Sequence, residues 1–278
     1  MNRSPLNSLD KATEGVVYRI GNTAISKKLV RYWYPWMTRR LGTQGDVVFL
    51  NWGYEEDPPM GLPLDEADEA NRYSIQLYHQ TANQIDLSGK KVLEISCGHG
   101  GGASYLMRTM HPASYTGLDF NSAAIDFCRK RHNLPGLDFV QGDAENLPFA
   151  DGSFDSVINV EASHIYPNVQ HFFSEVARVL RPGGYFLYTD FISRANLPGI
   201  EAALAKPPLR MVSEKIIDEQ VLRGLKENSP RSIELINRHL PIFLHRFGRE
   251  FAVVEGSMFF KDLGCGELSY RTYCLTRD

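Results

Sequence analysis

The chain has few cysteines and almost no charge imbalance, and each shortage removes a class of function. Thirty Lys and Arg stand against 33 Asp and Glu, a formal net charge of -3 over 278 residues. A nucleic-acid surface needs a basic excess gathered on one face, so no nucleic-acid partner is expected. The four cysteines, Cys97, Cys128, Cys265 and Cys274, form no C-x-x-C pair, and no histidines sit at zinc-ligand spacing. That pattern predicts no metal site and no disulfide framework, and reduced cytoplasmic thiols are its simplest reading. Runs of apolar residues long enough for a membrane span are missing. The opening MNRSPLNSLDKATEG has no apolar leader core. Internal repeats and low-complexity tracts are missing too. A soluble, cytoplasmic protein is expected.

What remains is ordinary globular material. Hydrophobic residues make up 43% of the chain, enough for a core without staples. The length suits one large domain carrying a lid or an insertion. Residues 1–88 show no strand–helix alternation and are rich in aromatics and turn residues, which predicts an N-terminal lid or substrate segment. Within it, 27–41 reads KKLVRYWYPWMTRRL, with basic ends around an aromatic middle. Such a run can lie on an anionic membrane surface or pack as a lid helix. Pro35 interrupts the amphipathic face and favours the lid. NWGYEEDPPMGLP at 51–63 is a loop by its Gly and Pro content, and 69–85 a helix.

From residue 89 the pattern changes. Short apolar strands at 91–95, 114–119, 137–143, 154–160 and 184–190 alternate with helices at 101–110, 122–131 and 169–180. That alternation predicts a parallel, doubly wound α/β sheet. Regularity lapses after Asp190. The stretch 194–230 holds Pro198, Pro207, Pro208 and the helix-like SEKIIDEQVLRGL, and reads as an insertion that caps something. A helix is expected over 232–247, then a closing antiparallel pair of strands at 251–259 and 267–276.

Chemistry concentrates at strand ends. Val92-Leu93-Glu94-Ile95-Ser96-Cys97-Gly98-His99-Gly100-Gly101-Gly102 runs from a strand through a Gly-rich turn into a helix. Glycines let backbone approach a ligand, and a helix N-terminus favours an anionic group. Alone this is weak, since dinucleotide enzymes use a similar turn. Asp119 ends the second strand and Asp143 the third. In open α/β sheets ligands lie beyond the carboxyl ends of the strands, where an acid can hold ribose hydroxyls. Each acid alone is an ordinary solvated residue; three at successive strand ends, in register with a Gly loop, point to a nucleoside-bearing ligand. The full dinucleotide spacing is missing, which argues against a nicotinamide dehydrogenase.

VLEISCGHGGG, YTGLDF, FVQGDAENLPFADGSFDSVINV and EVARVLRPGGYFLYTDF, taken together, closely resemble the successive motifs of class I S-adenosylmethionine-dependent methyltransferases, over about residues 88–192. The resemblance implies a Rossmann-like, seven-stranded, mostly parallel sheet with an antiparallel last hairpin, and S-adenosylmethionine as cofactor with S-adenosylhomocysteine as product. It places Glu94 near the methionine amino group, Gly98 and Gly100 along the methionyl and ribose portion, Asp119 on the ribose hydroxyls, and Asp143 and Ala144 at the adenine. Ser96, Phe120 and Asn159 join that binding set, although Ser96 stands where the family usually has its first glycine. Asn51-Trp52-Gly53-Tyr54 resembles the aromatic lid segment of lipid methyltransferases, which makes Trp52 and Tyr54, with Tyr166, candidate substrate contacts. RYWYPWMTRRLG, NWGYEEDPPM, HPASYTGLD, RHLPIFL and GELSYRTYC extend the likeness to the actinobacterial cell-envelope lipid O-methyltransferases. That group implies a lipid or glycolipid acceptor, and work at the inner face of a membrane.

A hydroxyl acceptor is a poor nucleophile, so a general base helps methyl transfer. His164, just after the fourth strand, is the candidate, although a lone histidine is often merely a satisfied structural residue. A similar histidine paired with an aspartate after the fifth strand occurs in antibiotic-sugar O-methyltransferases, and Asp190 matches it. The expected activity is thus O-methylation of a lipid hydroxyl without metal. C-methylation of a sterol-like or polyprenyl acceptor is the alternative, with Trp52, Tyr54, Glu55 and Glu56 available to steady a cation. A cofactor-binding module without turnover would not need His164.

Overall fold

The computed structural model describes residues 47–206 and 208–278. The aromatic run at 27–41 lies outside the described residues. Helices below are numbered among the described residues.

Five strands and their crossovers build the frame. They are β1 (Lys91–Ile95), β2 (Ser114–Asp119), β3 (Leu137–Gln141), β4 (Phe154–Val160) and β5 (Leu180–Ser193). The helices among them are α3 (Gly101–Met110), α4 (Ser122–Arg131) and α5 (Val169–Val179), preceded by the short α1 (Glu66–Glu69) and by α2 (Arg72–Ala82). Beyond β5 come α6 (Leu197–Leu204), β6 (Leu209–Ile216), α7 (Asp218–His239), α8 (His245–Phe251), α9 (Met258–Gly264) and β7 (Leu268–Arg277). The strands form a seven-stranded sheet in the order β3-β2-β1-β4-β5-β7-β6. Neighbours among β1 to β5 pair parallel, and β7 runs antiparallel to both β5 and β6.

Burial on both faces explains the apolar runs. Val92 joins one core cluster with Tyr78, Leu106, Tyr115 and Ile158, whereas Leu93 and Ile95 join another with Val157, Phe172, Phe186 and Tyr188. A strand covered on both sides has no polar face to show, so it reads as a continuous apolar segment. Local signals start the helices. The Asn121 side chain accepts from the Ala123 N–H ahead of α4, and that of Asn168 from the His171 N–H ahead of α5. The chain fills the sheet outward from β1 in one direction and from β4 in the other. The switch between β1 and β4 therefore opens a crevice at their carboxyl ends.

Two expectations beyond Asp190 need correction. Residues 251–259 are not a strand: Phe251 ends α8, and Met258 begins α9. Val253 (φ 47°) and Gly256 (φ 86°) are both left-handed, a conformation that ends extended chain. The strand that pairs with β7 on its far side is β6, inside the stretch expected to be a capping insertion. As an edge strand β6 exposes Val212 and Ile216, so LRMVSEKI lacks a clean apolar alternation. The second correction follows. SEKIIDEQVLRGL is strand up to Ile216, and helix only from Asp218, where Asp218 and Glu219 suit the first turn. That helix runs to His239 through Pro230. The helices α7 to α9 thus lie between β6 and β7, and 194–230 contains α6, β6 and the first half of α7.

The segment 51–56 is packed between α2 and α7, with Trp52, Tyr54 and Glu55 buried. Gly53 and Gly224 of α7 meet backbone to backbone: a Cβ on Gly224 would lie 2.2 Å from the Tyr54 nitrogen. Only glycine admits such an approach. The Tyr54 N–H donates to the Tyr73 carbonyl on α2, and the Glu55 N–H to the Gln220 carbonyl on α7, each at 3.0 Å.

Candidate active site

The turn after β1 alternates left-handed residues: Ser96 (φ 61°), Gly98 (φ 54°) and Gly100 (φ 74°). Ser96 thus takes a glycine conformation, at a cost of about 1–3 kcal/mol. Its hydroxyl sits 2.6 Å from the Tyr166 hydroxyl, which ties the turn to the loop after β4. Gly100 has no substitute, because a Cβ there would come within 3.0 Å of Cys128, His132 and Phe139.

The strand-end acids are held differently from one another. Asp119 accepts the Gly98 N–H on Oδ2 (2.9 Å) and the Asn121 N–H on Oδ1 (2.8 Å). Burial pushes its pKa up to about 6, against the pull of those two bonds. A lone pair is left on each oxygen. The next residue, Phe120, presents a large exposed ring. Asp143 accepts the Glu145 N–H at 3.0 Å in the turn after β3, beside buried Ala144. Glu94 lies deeper, 1% exposed, and accepts hydroxyl hydrogens from Tyr78 (2.8 Å) and Tyr115 (2.9 Å). Burial pushes its pKa up to about 7. Asn159, fully buried at the end of β4, donates to the Ile95 carbonyl (2.9 Å) and the Tyr166 hydroxyl (3.1 Å). Its Oδ1 is buried with no partner among the described residues.

These residues fit S-adenosylmethionine. A strand-end carboxylate, an exposed aromatic face, a left-handed glycine turn and an orphaned buried acceptor stand at the carboxyl ends of β2, β1 and β4. Asp119 and its neighbours would hold the ribose and adenine, and Asn159 Oδ1 offers an acceptor to a donor group on the methionyl portion. Tyr166 belongs to this half, since its hydroxyl bridges Ser96 and Asn159. Tyr54 is buried against α2 and α7 with its hydroxyl donating to Glu56 at 2.9 Å.

The other half is an aromatic wall around one imidazole. The Trp52 ring stacks on Phe191 (4.6 Å between centroids, 7° between planes), with Phe259 and Tyr270 packed at its edges. The His164 ring lies 4.2 Å from that of Phe191. Its Nδ1 is 2.9 Å from Asp190 Oδ1, and its side chain is 30% exposed while Asp190 is fully buried. Asp190 also accepts the Ser163 hydroxyl (2.7 Å), the His164 N–H (3.1 Å) and the Phe191 N–H (2.9 Å). A carboxylate so held fixes the ring: the neutral imidazole carries its proton on Nδ1 and leaves Nε2 as an acceptor.

Glu161 completes the wall, and the sequence reading did not single it out. Both of its oxygens accept the Trp52 N–H (2.8 and 3.0 Å), and Oε1 also accepts the Tyr270 hydroxyl. Burial, aided by the Asp190 charge, pushes its pKa up to about 8 against those bonds. The signal was present, for Glu161 is one more acid immediately after a strand.

A surface groove of about 500 Å³, lined by His171, Arg178, Lys206 and Arg277 among others, takes in none of these residues. Among the described residues no group of three or more His, Cys, Asp or Glu is placed to hold a metal.

Comparison with known proteins identifies the family. Residues 93–188 match the methyltransferase domain family. The phthiotriol/phenolphthiotriol dimycocerosates methyltransferase of Mycobacterium tuberculosis is 59% identical over 96% of this chain and 98% of its own length. A fatty-acid O-methyltransferase of Mycolicibacterium smegmatis is 51% identical over 98% and 97%. In fold, the chain is similar to geranyl diphosphate C-methyltransferase of Streptomyces coelicolor, solved with Mg2+, geranyl diphosphate and S-adenosylhomocysteine. There the TM-score is 0.64 at 17% identity, over 92% of this chain and 98% of that one. The chain therefore belongs to the S-adenosylmethionine-dependent methyltransferases, in the family of the phthiotriol/phenolphthiotriol dimycocerosates methyltransferases.

Proposed function

We propose that this methyltransferase methylates a hydroxyl oxygen of a long-chain or glycosylated lipid, with His164 as general base and Asp190 as its orienting partner. The observation that carries the reading is the His164–Asp190 contact, with the ring partly exposed against an aromatic wall. The relatives' names supply the acceptor class: a dimycocerosate lipid in one, a fatty acid in the other.

S-adenosylmethionine supplies an electrophilic methyl group on a sulfonium, so no Lewis acid is needed to activate it. The protein's tasks are alignment, dryness and a place for one proton. Phe191 and Phe259, partly exposed and packed on the buried Trp52 ring, offer an apolar surface to an alkyl chain and keep water from the reacting oxygen. As that oxygen loses its proton, Nε2 of His164 takes it, and the imidazolium is stabilised by Asp190 beside Nδ1.

Two other acceptors remain distinct. A fatty-acid carboxylate is already an anion and needs no base, so it would be indifferent to His164. An alkene acceptor would be methylated on carbon, and its product would resist ether-cleaving reagents. The test is transfer of labelled methyl to a long-chain diol. His164→Ala should lower turnover by roughly 100- to 10,000-fold, the usual worth of a positioned base. Donor affinity, read by calorimetry, should barely change. Near-normal turnover in that variant would leave positioning alone as the mechanism.

The place of work is the cytoplasmic face of a membrane. Among the described residues no helix is long and apolar enough to cross one. Ile242 and Phe243 are 85% and 82% exposed on the turn before α8, a helix that carries Arg246 and Arg249. Apolar tips beside basic residues suit an anionic lipid surface. Co-sedimentation with anionic vesicles should be lost in Ile242→Asp/Phe243→Asp; unchanged sedimentation would remove this turn from the contact.

A further inference from the structure

Glu161 stands where three separate parts of the chain meet. It follows β4, adopts φ 49°, and gives its own N–H to the Thr189 carbonyl at 2.8 Å. A side chain in the left-handed region is costly unless its surroundings hold it there. What holds it is a clasp: the Trp52 N–H is shared between both carboxyl oxygens, and the Tyr270 hydroxyl of β7 donates to one of them. Each of these partners is 109 residues away in sequence.

The neighbours of Trp52 are anchored elsewhere. Asn51 donates its side-chain amide to the Ser74 carbonyl of α2 (3.0 Å), Tyr54 is bound to α2, and Glu55 to α7. Trp52 is the residue of this segment whose backbone is tied to the sheet. Its ring stacks on Phe191, and Phe191 in turn contacts the His164 ring. A shift of Trp52 is thus passed through two ring contacts to the imidazole.

We propose that Glu161 is a positioning residue of the acceptor site, whose carboxyl group clasps the Trp52 amide and the Tyr270 hydroxyl and so sets the Trp52–Phe191 wall against His164. The proposal rests on the reading that the acceptor lies along that wall. Glu161 touches neither the reacting oxygen nor the donor; it fixes where the wall stands. The side chain must therefore accept hydrogen bonds, and it need not be charged. Glutamine retains a carbonyl acceptor for the Trp52 N–H, whereas alanine leaves both donors unpaired beside the site.

The experiment compares Glu161→Ala and Glu161→Gln in the full-length enzyme. Three readouts are taken: amide hydrogen exchange across 50–56 without acceptor, donor affinity by calorimetry, and kcat/KM for a long-chain diol in mixed micelles. In the alanine variant, exchange at 50–56 should speed up about tenfold or more, as expected for a lost clasp. Its kcat/KM for the diol should fall about 10- to 100-fold, mostly through KM, with donor affinity held within about threefold. The glutamine variant should restore protection and most of the kcat/KM. Unchanged exchange in the alanine variant overturns the clasp, and so does a loss of donor affinity equal to the loss of kcat/KM. If alanine prevents folding, Tyr270→Phe removes one of the two bonds and should show the same changes in smaller degree; no change there overturns it equally. Exchange is read without turnover, so a His164→Ala variant that stays active would sink the base while leaving the clasp standing.

Discussion

The donor half and the acceptor half of the crevice are built on opposite plans. The donor half is local: Ser96, Gly98 and Gly100 lie in one turn, and Asp119 reaches back to the Gly98 N–H one strand away. Its shape is set mainly by backbone geometry in a single turn. The acceptor half is assembled from Trp52, Glu161, His164, Asp190, Phe191, Phe259 and Tyr270, which come together only once the sheet, the lid segment and the cap have packed. A plan of the first kind can serve many acceptors unchanged. The second kind is where one lipid methyltransferase can differ from another.

Variants can break that comparison from either side. After His164 itself, the largest effect is expected at Asp190. Asp190→Asn keeps the shape but presents a weaker partner to His164 Nδ1, and should lower turnover by roughly 100- to 1,000-fold with donor affinity intact. Calorimetry showing a matching loss of donor binding would mean that the two halves are not separable. On the donor side, Asp119→Ala should weaken S-adenosylmethionine by about 1–3 kcal/mol, the range for a hydrogen bond to a charged or buried partner. Turnover at saturating donor should change far less. Unchanged affinity in a folded variant would take Asp119 out of the site.

A smaller effect concerns pH and stability without ligand. Burial raises the pKa of Asp119 to about 6, of Glu94 to about 7 and of Glu161 to about 8. Unfolded carboxyls titrate near 4. Between those values the folded chain keeps protons that the unfolded chain has released, so stability is full below about pH 4 and declines as pH rises through each raised value. Melting temperature should therefore fall from about pH 5 to about pH 9, and Glu161→Gln should flatten the upper part of that slope. Equal slopes in variant and parent would assign the decline to other groups. The smallest expected effect is none: a chelator should leave turnover unchanged, and rescue of a chelated enzyme by magnesium would reject metal-free transfer.

How much could be read in the sequence follows the same division. The buried parallel strands announce themselves as apolar runs, and Asp119, Asp143 and the Gly turn mark their ends within a short span. His164 and Asp190 drew attention because both stand near the carboxyl ends of apolar runs, although Asp190 lies inside β5, which continues to Ser193, and His164 in the turn beyond β4. β6 was not, because an edge strand with one neighbour exposes Val212 and Ile216 and mixes charges into LRMVSEKI. Residues 251–259 misled in the other direction: the apolar pattern is there, but Val253 and Gly256 turn the chain out of extension. Tyr54 was a candidate substrate contact through the lid-like Asn51-Trp52-Gly53-Tyr54 motif, and its burial against α2 and α7 is not visible in that motif. Glu161 escaped notice because its meaning lies in Trp52 and Tyr270, each 109 residues distant. Its position just after β4 is a local signal, but the partners it clasps are not.

The contact of Gly53 with Gly224 has a consequence for the order in which the enzyme becomes competent during synthesis. Trp52 leaves the ribosome early, but the helix against which its segment seats, and the Phe259 and Tyr270 that frame its ring, leave late. Strands β1 to β5 can pair, and the turn after β1 can form, while the segment 51–56 has only α2 to pack on and not yet α7. In a chain made from its N-terminus the turn after β1 therefore precedes the aromatic wall, which is complete only with Tyr270 of β7, the last strand in chain order.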